Sequence, residues 1–153
     1  MQRRMFLRGS LAASAAGVAA SAGLLAPQAV LAAWPKGAFD AKDVKSAMSE
    51  IAGGDSPEAG DIKIKAPDIA ENGAVVPITV STGIEGVESI SIFAAKNGTP
   101  LIASFKLGES AEPFAATRIK MGETADVVAL VKAGGKLYSA KKAVKVTIGG
   151  CGG

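Results

Sequence analysis

The sequence predicts a mainly β protein, an immunoglobulin-like β-sandwich with one N-terminal helix and a flexible, glycine-rich C-terminal tail. Three observations carry that expectation. Beyond Gly60 the chain falls into about seven short, apolar-alternating runs at spacings of about ten residues, punctuated by Asn-Gly, Gly-Gly and Pro. One stretch of helical periodicity precedes them, and no β-α alternation follows. The chain ends Gly149-Gly150-Cys151-Gly152-Gly153, a segment with almost no side chain to pack.

In chain order, the first residues are Met1-Gln2-Arg3-Arg4-Met5-Phe6-Leu7-Arg8, followed by an Ala-, Gly- and Ser-rich apolar run from Leu11 to Leu25, Pro27, and small residues at Ala32 and Ala33. A charged region, a mildly apolar region and an A-x-A-like site make residues 1–32 a secretory signal. The Arg3-Arg4 pair points to the twin-arginine route, which carries folded cargo to the periplasm. The apolar run is too short and too alanine-rich for a membrane anchor. Cleavage is expected after Ala32, with Ala33 as the alternative.

This leader distorts the overall charge. The chain holds 17 Lys or Arg against 14 Asp or Glu, a formal +3. Arg3, Arg4 and Arg8 account for all of that excess, so from Ala33 onward bases and acids balance. No basic footprint for nucleic acid remains. About 120 residues are left, enough for one domain with one core; the domain is expected over 33–148.

That domain opens with Trp34 and Pro35, then a helix. Asp40 is the expected cap, with Asp43 completing a capping box and Phe39 and Val44 a hydrophobic staple. Val44, Ala47, Met48 and Ile51 recur at i, i+3, i+4, i+7 and form one apolar stripe, read as core-facing. Gly53-Gly54 supplies a left-handed stop.

The strands follow. Ile62, Ile64 and Ala66 alternate with lysines until Pro67. Asn72-Gly73 turns the chain into Ala74 to Ser81, with Val76, Ile78 and Val80 on one face; Pro77 pushes that run towards an edge or a bulge. Val87 to Ala95 is joined by Asn97-Gly98, a hairpin signal, to Leu101–Leu107. Phe114 to Met121 and Ala125 to Lys132 come next. Gly134-Gly135 then turns the chain into a last run from Lys136 to Ile148, either one strand or two pieces bent near Ala140. In that run Val144, Val146 and Ile148 share the inward face, and Lys141, Lys145 and Thr147 the other. Lys136, Lys141, Lys142 and Lys145 make the densest basic group of the domain. They suit a solubilising strand surface that discourages edge pairing, or attraction of an anionic substrate or acidic partner.

The body should therefore release the chain at Gly149. Cys151 is the only cysteine, and the sequence has no histidine. A metal site is the weaker reading, since zinc takes about four Cys, His or carboxylate ligands and the chain offers one thiol and no imidazole. Extended, 149–153 reaches at most about 17 Å. A free thiol titrates near pH 8.5, and no base lies within five positions of Cys151 to lower that, while the chain's terminal carboxylate is close by. Without an activating histidine the thiol is a poor catalyst by itself. A mobile thiol with no machinery of its own makes sense as a carrier, Cys151 as attachment point and Gly149, Gly150, Gly152 and Gly153 as arm. Two rivals remain: a periplasmic binding or chaperone-like sandwich with an incidental tail, and a self-contained sulfurtransferase that would need a depressed Cys151 pKa.

The closing run Lys145-Val146-Thr147-Ile148-Gly149-Gly150-Cys151-Gly152-Gly153 resembles the C-terminus of the SoxY family, sulfur-carrier subunits of the periplasmic thiosulfate-oxidising Sox system. The leader and the helix-then-strands order are similar too. The resemblance implies that Cys151 carries thiosulfate-derived sulfur as an S-thiosulfonate or its persulfide products, and that the protein is a carrier and not an enzyme. It implies a heterodimer with SoxZ, loading by the haem-bearing SoxAX, removal of sulfate by SoxB and, where present, oxidation by SoxCD. No cofactor is expected in the chain itself, and the resemblance assigns no SoxZ-contacting residue.

Overall fold

A computed structural model describes residues 35–53 and 56–147. The leader 1–32, its cleavage positions, and Ile148 with the tail 149–153 lie outside the described residues. Two short helices lead: α1, Lys36–Asp40, and α2, Val44–Ala52. The helix expected from Asp40 onward starts instead at Val44, and α1 is an additional short helix ahead of it. Ala41 is extended (φ −61°, ψ 144°) and ends α1. Asp43, not Asp40, caps α2: one carboxylate oxygen accepts from the Ser46 N–H at 2.9 Å and the other from the Ser46 hydroxyl at 2.7 Å. The geometry favours Asp43 because its carboxylate meets both a backbone and a side-chain donor one turn ahead. With the start shifted, Phe39 and Val44 no longer occupy the staple positions about the cap, though both pack against the helix-side core. The stop is as read, with Gly53 left-handed at φ 71° and its N–H donating to the Ser49 carbonyl.

The strands are β1 (Glu58–Ala59), β2 (Ile62–Lys65), β3 (Ile69–Ala70), β4 (Val76–Thr82), β5 (Val87–Ala94), β6 (Leu101–Lys106), β7 (Phe114–Ile119), β8 (Ala125–Ala133) and β9 (Lys136–Val146). They form two sheets. The larger runs β1-β9-β8-β5-β6, with β3 also on β9; the smaller is β2-β4-β7. Strand parity sorts the core. Ile90, Ile92, Val127, Ala129, Val131 and Val144 face the smaller sheet's Val76, Ile78, Val80, Ala115 and Ile119. The opposite parity, Phe93, Leu130 and Leu137, turns to the helices, where Ala38 and Ala47 are wholly buried and Met48 and Ile51 pack alongside. The sandwich therefore carries the helices as a third layer on the outer face of its larger sheet.

Two turns and one strand proline show how the sequence chose its connections. Gly134 and Gly135 both have positive φ (55° and 76°), closing a two-residue hairpin in which Ala133 pairs with Lys136. Asn97-Gly98 does not make such a turn: Gly98 lacks positive φ, and the link from Ala94 to Leu101 is longer. Asn97 instead turns its side chain to the 120–122 loop, its Nδ2 donating to the Lys120 carbonyl at 2.6 Å and its Oδ1 accepting from the Gly122 N–H at 3.2 Å. Pro77 sits in the central strand of the smaller sheet, yet β2 pairs only with residues 79–82 of β4. At Pro77 the strand is a local edge, which resolves the conflict.

β9 is one continuous antiparallel partner of β8, with no break at Ala140. Its other flank is covered in two places by parallel rungs, from β1 at Tyr138 and Ser139 and from β3 at Lys145 and Val146. Neither β1 nor β3 is expected from the sequence, because each is a two-residue rung too short to show a period.

Candidate functional site

The last described residues of β9 are held from both sides. Three consecutive residues there make backbone hydrogen bonds to alternate flanks. The Lys145 N–H donates to the Asp68 carbonyl at 2.9 Å and the Thr147 N–H to the Ala70 carbonyl at 3.1 Å, both on the β3 flank. Val146 points the other way, and β8 pairs with β9 only as far as Val144. Thr124 fills that place with its side chain. Its hydroxyl oxygen accepts from the Val146 N–H at 2.9 Å and lies 3.4 Å from the Val146 carbonyl, to which it can donate. A hydroxyl is donor and acceptor at once, so one side chain stands in for both backbone groups of a missing rung.

Thr124 is itself held. The loop leading to it is bound by Asn97 at Lys120 and Gly122, and the Met121 N–H donates to the Gly73 carbonyl at 2.7 Å while the Met121 side chain is fully buried. On the opposite flank Lys142 reaches from β9 to the Ala66 carbonyl at 2.8 Å and to the Asp68 carboxylate at 3.0 Å, tying down the segment that becomes β3. The chain is gripped from both sides up to Thr147, four positions before Cys151.

The lysines expected to act together are dispersed. Lys136 starts β9 at the hairpin and Lys145 lies near its far end, about 30 Å apart along an extended strand. Lys142 is occupied as described, and Lys141 faces Asp126 at 3.7 Å. Lys141 and Lys145 do share the exposed face, opposite the buried Val144. Elsewhere the clefts are open. One of about 460 Å³ lies between Phe39, Asn97, Ile102 and Lys120, and one of about 450 Å³ is rimmed by Glu85, Glu88 and Glu109. Among the described residues no group of three or more His, Cys, Asp or Glu could hold a metal, and no buried side-chain N or O lacks a partner. Nor is any described helix long and apolar enough to cross a membrane.

Cys151, Gly149, Gly150, Gly152 and Gly153, the residues singled out by the sequence, lie outside the described residues. Thr124 and the Asp68–Ala70 strap are new, and Asn97 and Lys142, read from the sequence as a turn residue and a surface base, serve here as ties. The only trace of Thr124 in the sequence is a threonine just ahead of a strand, which is too common to single out.

A comparison with protein-family models matches residues 48–151 to the family described as sulfur oxidation protein SoxY. The chain belongs to the SoxY family. Among solved structures, the sulfur carrier protein SoxY from Chlorobium limicola f. thiosulfatophilum is 45% identical, covers 69% of this chain and 97% of its own, and superposes with a TM-score of 0.62. The SoxY match extends through Cys151, so that residue lies inside the family pattern and is not an appendage to it. Two structures of the superoxide reductase (neelaredoxin) from Ignicoccus hospitalis share the fold alone. One, a point variant, is 20% identical over 58% of this chain and 82% of its own (TM-score 0.52). The other is 20% identical over 56% and 79% (TM-score 0.51). The curated proteins contain no match.

Proposed function

We propose that this SoxY-family chain is a covalent sulfur carrier in which Cys151 bears thiosulfate-derived sulfur and 149–153 is the arm that presents it to other enzymes. One observation carries the reading: the body is tightly bonded up to Thr147, and the chain's only cysteine follows four positions on. From that pinned end the Cys151 Cα can stand at most about 14 Å away. A thiol at that distance can enter an active site while the body stays outside. Glycines on both sides keep the arm narrow enough for a confined channel.

The chemistry asked of the chain is small. In loading, the Cys151 thiol and the sulfane sulfur of thiosulfate join through a new S–S bond, giving Cys-S-S-SO₃⁻. One proton and two electrons leave, and the haem-bearing loading enzyme, SoxAX, would be the electron acceptor. SoxB then adds water across the bond to the terminal sulfonate, releasing sulfate and protons and leaving a persulfide on Cys151. SoxCD, where present, oxidises that sulfane sulfur. Each reaction takes place in the partner's site, while Cys151 only holds the cargo between visits. The body pairs with SoxZ, and the chain reaches the periplasm by the twin-arginine route with residues 1–32 removed.

The test is intact-mass spectrometry after incubation with thiosulfate and the loading enzyme. Wild-type protein gains the mass of the adduct, and Cys151→Ser gains none while melting at the same temperature. A mass gain on Cys151→Ser would overturn the assignment.

A further inference from the structure

The hydrogen bonds at the end of β9 exceed what the sandwich needs for its core. Val144 is the last wholly buried residue of that strand, and Lys145 and Thr147 are exposed. A strand end with little apolar burial ordinarily frays. Here it is fastened by the β3 strap on one flank and on the other by a side chain that replaces a rung, carried on a loop bolted down by Asn97. The effect of this fastening is to fix the point and direction at which the chain leaves the body.

We propose that Thr124 is a positioning residue for the carrier arm: its hydroxyl latches Val146, and the latch sets the arm's length and its line of exit. This rests on the carrier reading above. Without the latch, residues 145–147 are held from the β3 flank alone, with Val146 packed against the core, and the root is free to swing and fray. Complete fraying of these three residues adds up to about 10 Å of slack. An arm with a fixed root samples a smaller volume, so less freedom is lost when its tip enters a partner's site. A loosened root costs encounter and docking, not the chemistry at the sulfur. The effect therefore belongs in KM.

Thr124→Val keeps the shape of the side chain and removes the hydroxyl, while Thr124→Ser retains it. Asn97→Ala loosens the same loop from a residue that does not touch β9, and serves if Thr124→Val folds poorly. Two readouts on the full mature chain decide the matter. In hydrogen exchange, the Val146 amide should exchange roughly five-fold faster or more in Thr124→Val and Asn97→Ala, with the amides of β5 and β8 unchanged and Thr124→Ser close to wild type. In loading with thiosulfate and the loading enzyme, KM for the carrier should rise by about five-fold in the same two variants, with kcat near wild type and Thr124→Ser restored. Unchanged Val146 exchange would show that no latch exists. Faster exchange with unchanged KM would reduce it to a structural rung, and either result overturns the proposal. If wild-type protein takes up no adduct at all, the carrier reading fails and the positioning role falls with it, while the exchange data still report on the latch separately.

Discussion

At the scale of single residues, Asp43 shows how a local contact becomes a pH dependence. The Ser46 hydroxyl, and after it the Ser46 backbone N–H, donate to the Asp43 carboxylate and hold it below its ordinary 3.8. Those bonds need the ionised form. Because folding lowers this pKa, the cap contributes its stability above the unfolded value and loses it as pH falls through the folded one. Circular dichroism should therefore show helix loss beginning below about pH 4 in wild type. Asp43→Asn, which caps without titrating, should flatten that step, and Asp43→Ala should weaken α2 at every pH. A step that persisted in Asp43→Asn would place its origin elsewhere. Gly135 makes a purely conformational case. It lies at φ 76° with open space where a Cβ would go, so a side chain there meets strain but no clash. Gly135→Ala should cost about 1–2 kcal/mol, while Gly135→Asn, tolerant of that region, should cost less. Thermal melts of the pair would separate the two.

At the scale of elements, legibility tracked how local the cause was. The long strands were readable because burial alternates along them, as in β4, where Val76, Ile78 and Val80 are buried. The Gly134-Gly135 hairpin and the Gly53 stop were readable because glycine alone satisfies a positive φ cheaply. The late start of α2 was not, since Asp40 and Asp43 look alike until Ser46 is placed against one of them. Nor were β1 and β3, whose existence depends on β9 arriving from the other end of the chain. Asn97 misled for the same reason: its turn signal is local, but its hydrogen bonds lie beyond twenty residues of sequence. Lys142 belongs with these long-range ties. It is a half-buried cation donating to a backbone carbonyl, with the exposed Asp68 carboxylate adding little beside it. Lys142→Met keeps the aliphatic stem and should cost about 1–2 kcal/mol. The loss should appear as faster exchange at Thr147, whose acceptor is on β3, and not in the β5–β8 ladder. Equal loss in both would mean that Lys142 supports the whole sheet and not the strap.

At the scale of the whole molecule, the proposed function divides a body that folds from a tail that reacts. In the described body two sheets and a helical layer bury apolar faces against one another, and the buried side-chain polar atoms are partnered, while Ile69, Val75 and Phe114 stay exposed. Residues 149–153 have little to add to it, being four glycines and one cysteine. A glycine segment buries almost no apolar surface, so its removal should cost almost no stability. Ending the chain at Ile148 should leave the melting temperature within about 1 °C of wild type and abolish adduct formation completely. Stiffening the arm tests the other half of the division. Gly150→Val and Gly152→Val restrict the backbone and widen the tip, so they should leave the melt unchanged, keep the thiol open to a small alkylating reagent, and slow turnover with partner enzymes. If those variants turned over at the wild-type rate, the tail would be a tether of any composition, and its glycines would need another explanation. If the truncated chain melted well below wild type, the tail would be packing on the body, and the separation of fold from function would fail at that point.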